Sequence, residues 1–368
     1  MDGLSAPVPR SGDAARARGR ALVPRAENPV PMDPAGFAGP APGAPERRRH
    51  PLAWYLVRRL ALVALTLVVV AVLVFWATQA LPGNAAYAVL GRTATKARVE
   101  ALERQLRLNR PAAVQFAAWF GGLLHGDLGR SLADGQPVAT VVGQRLLNSS
   151  VLVVVAAVLS VPSAIAIGTW LALRRGRVSD EVGGVVTLAI AALPEFVIAV
   201  ALIVLFATVV LRVLPPVSLV PPGGSVLSRP EELVLPVATL FLAITPYLVR
   251  MIRSSVLEVA ESDYVEALRL NGCPERTVVA RHILPNAIGP TLQVIAAQLA
   301  WLAGGIVTVE YVFAFPGIGQ GLVYAVDNRD IPVIQATVLV LAAVYVLVNL
   351  AADILAILVT PRVRTTLR

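Results

Sequence analysis

"LALVALTLVVVAVLVFWATQA", Leu60–Ala80, holds no charged residue in about 21 positions. At 1.5 Å of rise per residue a helix of that length measures ~31 Å, the thickness of a bilayer's hydrocarbon core. Similar runs follow at about 151–173, 182–211, 233–251, 288–309 and 333–359, the fourth interrupted by Pro236 and Pro246. Proline is tolerated in a membrane helix where neighbours satisfy the freed backbone groups. The pattern predicts an all-α membrane protein with six transmembrane helices in one domain, residues 51–368. The whole chain agrees: 56% of its 368 residues are hydrophobic, 15% are charged and mean hydropathy is +0.71.

The net charge of +9 would suggest nucleic acid in a soluble protein. Here the arginines flank apolar runs, as topology signals do, so no nucleic-acid partner is expected. Arg47, Arg48, Arg49, Arg58 and Arg59 precede the first span, and Arg174, Arg175 and Arg177 follow the second. Arg250, Arg253, Arg269, Arg276 and Arg281 lie at or between the fourth and fifth, and Arg362, Arg364 and Arg368 close the chain. Against these about sixteen, the short loops of the other side carry only Arg212, Arg229 and Arg329. The positive-inside rule then places both termini in the cytoplasm and the segment 81–150 outside. Within that segment "KARVEALERQLRLNRP", Lys96–Pro111, reads as one amphipathic helix ended before proline. Residues 1–50 are rich in Ala, Pro, Gly and Arg, without periodicity, and are expected to form a disordered cytoplasmic tail.

The cytoplasmic loop 254–287 is different in kind. In "YVEALRLNGCPERTVVARHILPNA", Tyr264–Ala287, Asp263 suits an N-cap with Glu266 three residues on, Gly272 suits a left-handed C-cap, and Pro274 suits the first position of a second helix. That helix should run to about Ile283, where Pro285 prevents simple continuation. Tyr264, Val265 and Leu268 can cluster on one side while Glu266 and Arg269 stay wet. So short an element needs the membrane domain or a partner to hold it.

These residues carry a resemblance. Glu266–Ala267–Leu268, Gly272 and Leu284–Pro285 resemble the EAA motif of ABC-importer permeases, with Leu268 in place of the usual second alanine and His282 where many members have an aliphatic residue. "RRLALVALTLVVVAVLVFWATQALPG" (Arg58–Gly83), "GDLGRSL" (Gly126–Leu132), "VEYVFAFPGIGQGLVYAVDNRDIPVIQ" (Val309–Gln335) and "TPRVR" (Thr360–Arg364) are similar to segments of the dipeptide/oligopeptide-type permeases. Asn84 and Ala85 stand where that family continues with Asp-Pro, and Thr360 replaces an aspartate.

The resemblance implies a multi-pass subunit of the cell inner membrane forming half of a translocation pore, with peptides as the expected cargo class. A second, related permease would supply the other half, two ATPase subunits would dock below, and an external binding protein would deliver cargo. The loop would be the coupling helix, with Glu266, Ala267, Gly272, Leu284 and Pro285 as its coupling residues. ATP and Mg would be bound and ATP hydrolysed by the partners, so the chain itself is expected to be neither an enzyme nor a cofactor binder. Its one lysine, Lys96, has no phosphate-binding loop around it. His50, His125, His282 and Cys273 are too scattered to suggest a metal site. The alternatives are a self-contained secondary transporter or a channel.

Glu195 in "ALPEFVIAV" falls inside the third span. An intramembrane acid is a candidate for the translocation pathway, or else a carboxyl bonded to a neighbour at a bundle surface. Asn349 and Asp353 suggest polar contacts between helices. "FPGIG", Phe315–Gly319, reads as a turn.

Overall fold

The computed structural model describes residues 51–80, 95–105, 110–220 and 224–359. The expectations for the tail 1–50, for Asn84 and Ala85, and for Thr360–Arg364 lie outside the described residues. Within them the chain is helical and no β-strand forms. The helices are α1 (Pro51–Gln79), α2 (Lys96–Gln105), α3 (Ala112–Leu124), α4 (Val138–Ala172), α5 (Val178–Ala191), α6 (Glu195–Leu202), α7 (Glu231–Ala260), α8 (Asp263–Leu270), α9 (Glu275–Thr277), α10 (Leu284–Val312), α11 (Ile318–Asp327) and α12 (Ile331–Val359). Wider π-turns extend α6 over Ile203–Thr208 and join α9 to α10 over Val278–Ile283.

Among the described residues four helices are long and apolar enough to cross a membrane, and counting each of two bent pairs as one span brings the number to six. Three features depart from six simple rods. The third span is broken: Val178–Ala191 and Glu195–Thr208 meet at 100° across Pro194. The fifth bends by 45° between Leu302 and Gly304. The second is far longer than its apolar core, since α4 begins at Val138 rather than near Val151. Its 35 residues measure ~52 Å, so about 20 Å projects beyond a hydrocarbon core of ~30 Å.

The fourth span runs unbroken through Pro236 and Pro246 and is the most enclosed, with 67% of its apolar window buried against 17–28% for the other three long helices. Its neighbours supply the packing that lets prolines remain in a helix. Gly168 of α4 permits a close approach to α7: a β-carbon there would stand 2.8 Å from the Val249 carbonyl oxygen.

Three buried clusters follow one another along α4. One, at its N-terminal end, joins Val138 and Val142 to Ile318, Ala325, Val333 and Ile334. The middle one joins Leu152 and Ala156 to Leu235, Leu240, Ile244, Ile306 and Phe313. The third, at its C-terminal end, joins Leu171 to Leu248, Ile252, Val256, Val265, Val278 and Ile283. The loop between the fourth and fifth spans is thus rooted in the bundle, at the end opposite α11.

Candidate functional site

The first candidate is that loop. Its first helix is capped at Ser262, with extended backbone (φ −74°, ψ 146°), and Asp263 is already its first helical residue, contrary to the expected Asp263 cap. No side-chain cap bond forms, so the expected Asp263–Glu266 capping box is absent; the amides of Val265 and Glu266 donate instead to the Ser262 carbonyl at 3.0 and 3.2 Å. A one-residue shift of this kind costs little, because Ser and Asp serve equally at that boundary. Glu266 is left exposed and free of a local capping role.

The helix ends as its glycine requires. Gly272 has φ +76°, its N–H donates to the Arg269 carbonyl (3.0 Å), and the Cys273 N–H donates to that of Leu268 (3.1 Å). This pair of bonds is the Schellman closure, which needs a left-handed residue and hence favours glycine. Pro274 is the N-cap of the next helix rather than its first residue. Pro285 does not end that helix. The π-turn at Val278–Ile283 widens the backbone just before it, Pro285 takes an early position of α10, and the loop continues into the fifth span. The wider turn removes the clash and the missing donor that stop a regular helix at proline.

Val265, Val278 and Ile283 are fully buried, whereas Glu266, Ala267, Gly272 and Pro285 are exposed and Leu284 is half-buried. Tyr264 leaves the expected apolar cluster: 42% exposed, it donates to the His282 carbonyl (3.1 Å) and accepts from Asn286 Nδ2 (3.0 Å). Arg269 is tied down. It grips Glu275 with two bonds of 3.1 and 2.9 Å, which hold its guanidinium above the ordinary value, and donates to the Ala260 carbonyl. One face of the module is therefore fixed to the bundle and the other is offered to solvent.

The second candidate is Glu195. It is the first residue of α6, at the break in the third span, half-buried, and it accepts no hydrogen bond from a described residue. Its carboxylate lies against Gly305, just beyond the bend of α10. The structure thus brings the break of one span to the bend of another, and places both far along the chain's path from the exposed loop.

Sequence reasoning missed three polar links. Glu310, in the last turn of α10, is completely buried. It accepts from the Ser149 hydroxyl of α4 and from the amides of Gly319 (2.7 Å) and Gln320 (3.3 Å), satisfying open N–H groups in the first turn of α11. Arg145 donates to Gln320 Oε1 (2.7 Å) and Asn148 to the Pro316 carbonyl (2.9 Å), so "FPGIG" is a clamped turn. Asp180 of α5 receives a two-pronged bond from Arg253 of α7 at 2.6 and 2.7 Å. Asp353 does contact another helix, pairing with Arg59 of α1 at 2.7 Å, whereas Asn349 donates back to the Tyr345 carbonyl of its own helix. A charged residue inside or bordering an apolar run was the available signal in each case.

The model of the binding-protein-dependent transport system inner membrane component matches residues 164–365, over half of the chain, and the model of that family's N-terminal region matches residues 52–167. The chain belongs to this family. It is therefore a membrane permease of the ABC-importer type, multi-pass and not itself an enzyme, rather than a self-contained secondary transporter or a channel. A Brucella abortus (strain 2308) protein named as a peptide transport system permease is 36% identical over 311 residues, covering 84% of this chain and 98% of its own length. A Sinorhizobium fredii protein named as a peptide ABC transporter permease is 34% identical over 310 residues, covering 84% and 99%. The glutathione transport system permease protein GsiC of Salmonella typhi is also 34% identical over 310 residues, covering 84% and 98%.

Proposed function

We propose that this permease forms half of the pore of an ATP-driven importer of peptides in the cell inner membrane. A second, related permease completes the pore, two ATPase subunits bind ATP and Mg on the cytoplasmic side, and an external binding protein delivers the cargo. Both termini lie in the cytoplasm. Glu266, Ala267, Gly272, Leu284 and Pro285 form the docking element for an ATPase, and Glu195 faces the pathway. The peptide assignment is supported by the names of the relatives.

The observation that carries the docking role is the two-sidedness of the loop: Val265, Val278 and Ile283 lie in the bundle core while Glu266, Ala267 and Gly272 stand exposed. Force applied to the exposed face reaches the spans through buried apolar contacts and through the unbroken backbone into α10. Arginines 174, 175, 177, 250, 253, 269, 276 and 281 surround the same end, which supports its cytoplasmic placement.

The test uses Glu266→Lys and Gly272→Val in the assembled transporter. A β-branched residue at φ +76° is strained by ~1–2 kcal/mol even though nothing lies within 4 Å of the position of its β-carbon. Both variants should insert in the membrane yet lose ATPase capture or cargo-stimulated ATP hydrolysis. Normal capture together with normal coupled uptake in both would refute the docking role.

A further inference from the structure

The surroundings of Glu195 specify more than a place on a pathway. The residue opens into a cavity of about 380 Å³, whose wall includes Leu193, Phe196, Ala243, Trp301, Gly305 and Thr308. No basic side chain lines it, and Glu195 has no hydrogen-bond donor among the described residues. Leu193, Phe196 and Trp301 are each about half exposed, so the cavity opens on an uncovered face of the chain. A carboxylate within an apolar span is costly against lipid, which favours water or protein on that face.

The carboxylate has no partner among the described residues and can pair with a group that arrives. A metal ion is a poor match: Ca²⁺ takes six to eight oxygen ligands, about six serve Mg²⁺, and the cavity's side chains offer Glu195 and Thr308 alone. A compact organic cation fits the wall better. An ammonium carries three donors and no acceptor, which suits one carboxylate and one hydroxyl. Trp301 and Phe196 line the same cavity, and aromatic rings attract cations.

We infer that the Glu195 cavity receives the ammonium group of a peptide during its passage, either the N-terminus or a lysine side chain. This rests on the peptide-importer reading and adds to it a chemical preference residing in the membrane chain. Gly305 belongs to the site because it leaves the carboxylate room: a β-carbon there would stand 2.7 Å from Glu195 Oε1 and 3.1 Å from Oε2.

The experiment uses the complete transporter in proteoliposomes, with its binding protein and ATPases. Uptake is measured for a short lysine-free peptide, for its N-acetylated form, and for an N-acetylated form containing one lysine. Because the same binding protein serves every variant, a change in the ratio between peptides belongs to the membrane chain. Glu195→Gln should reduce the preference for ammonium-bearing over neutral peptide by about tenfold, the effect of losing one charge-assisted contact. Glu195→Asp should retain part of the preference. Gly305→Ala, which displaces the carboxylate while keeping its charge, should reproduce the effect of Glu195→Gln. Loss of preference for the lysine-free peptide alone assigns the site to the N-terminus, and loss for both ammonium-bearing peptides assigns it to either source. Unchanged ratios in Glu195→Gln overturn the inference, and so does an equal fall for all three peptides. If Glu195→Gln fails to assemble, an unchanged ratio in Gly305→Ala overturns it. Should the wild-type complex carry none of the peptides while responding to another cargo, the peptide-importer reading fails and takes this inference with it. That result is distinct from peptide uptake with unaltered ratios.

Discussion

Replacing Glu310 by alanine tests whether the α11 end of the bundle is held by a single carboxylate. The substitution strips the acceptor from the Ser149 hydroxyl and from the Gly319 and Gln320 amides. Glu310 is fully buried, so water cannot replace it without entering the core. A buried donor left unsatisfied costs ~1–3 kcal/mol, and the Gln320 contact, at 3.3 Å, is the weakest of the three. The expected loss is therefore about 3–5 kcal/mol. At ~2–4 °C per kcal/mol, the conversion for chains of a few hundred residues, unfolding should move down by roughly 6–20 °C. The assay is thermal unfolding of the purified permease in nanodiscs, read by intrinsic tryptophan fluorescence. Ser149→Ala removes the bond to Glu310 but also the acceptor of the buried Ile318 amide (2.8 Å), so it should lower the transition by about 1–3 kcal/mol. Glu310→Gln keeps an acceptor and should fall between the two. An alanine variant that unfolds within about 1 °C of wild type would refute the clamp, because leaving the buried Ser149 and Gly319 donors without their acceptor is not that cheap.

Other perturbations probe other parts of the fold. The Asp180–Arg253 pair is buried on the aspartate side and 30% exposed on the arginine side; a double-mutant cycle with Asp180→Asn and Arg253→Met should give a coupling of about 1–3 kcal/mol, and a value near zero would show that the pair does not hold α5 to α7. Gly168→Ala places a β-carbon 2.8 Å from the Val249 carbonyl oxygen and 3.1 Å from Ile252 Cβ, so α4 and α7 must separate. The expected cost is ~1–3 kcal/mol, measured as a lower unfolding temperature, while Gly143→Ala, with open space around it, should be neutral or slightly stabilising. For orientation, a cysteine at Asp134 in a Cys273→Ser background should react with an impermeant reagent from outside the cell; labelling from the cytoplasm alone would invert the proposed topology.

Which parts of this arrangement can be read from sequence depends on how local their cause is. Spans are legible because lipid leaves the backbone no alternative to helix, and a run such as Leu60–Ala80 carries the whole signal. Gly272 is legible because a left-handed C-cap is a property of one residue and its immediate neighbours. The break at Pro194 is not: Pro162, Pro236, Pro246 and Pro290 all sit inside continuous helices, and nothing in the local string separates them from it. The difference is tertiary, since α7 is wrapped by neighbours that keep its helix intact whereas much of the third span's surface is open. The Glu310 clamp is hidden for the same reason, with one partner 161 positions away and the others beyond a turn. Pro285 misleads because a stop signal calibrated on regular helices does not allow for a π-turn placed just ahead of it.

The route from the loop to the cavity is itself a consequence of these irregularities. The loop's π-turn flows into α10, so a displacement at Glu266 has a covalent path up the fifth span. A straight helix anchored at both ends would carry that displacement as a rigid shift. Here Glu310 fixes the far end of α10 to Ser149 and to the start of α11, while the helix bends between Leu302 and Gly304. Motion imposed at one end with the other held must be absorbed between them, and the bend can yield: Gly304 has open space around it, and the nearest atoms to a β-carbon at Gly305 are the carboxylate atoms of Glu195, the far end of a flexible side chain. The break in the third span lies against the same point. If the loop is the docking element proposed above, docking at α8, bending within α10 and the Glu195 carboxylate packed against that bend would act in series, with the clamp as the fixed end. It follows that loosening the clamp should uncouple the transporter even when the loop and the cavity are intact. Glu310→Gln, the milder of the two clamp substitutions, is the variant in which to look for ATP hydrolysis that continues while cargo movement falls.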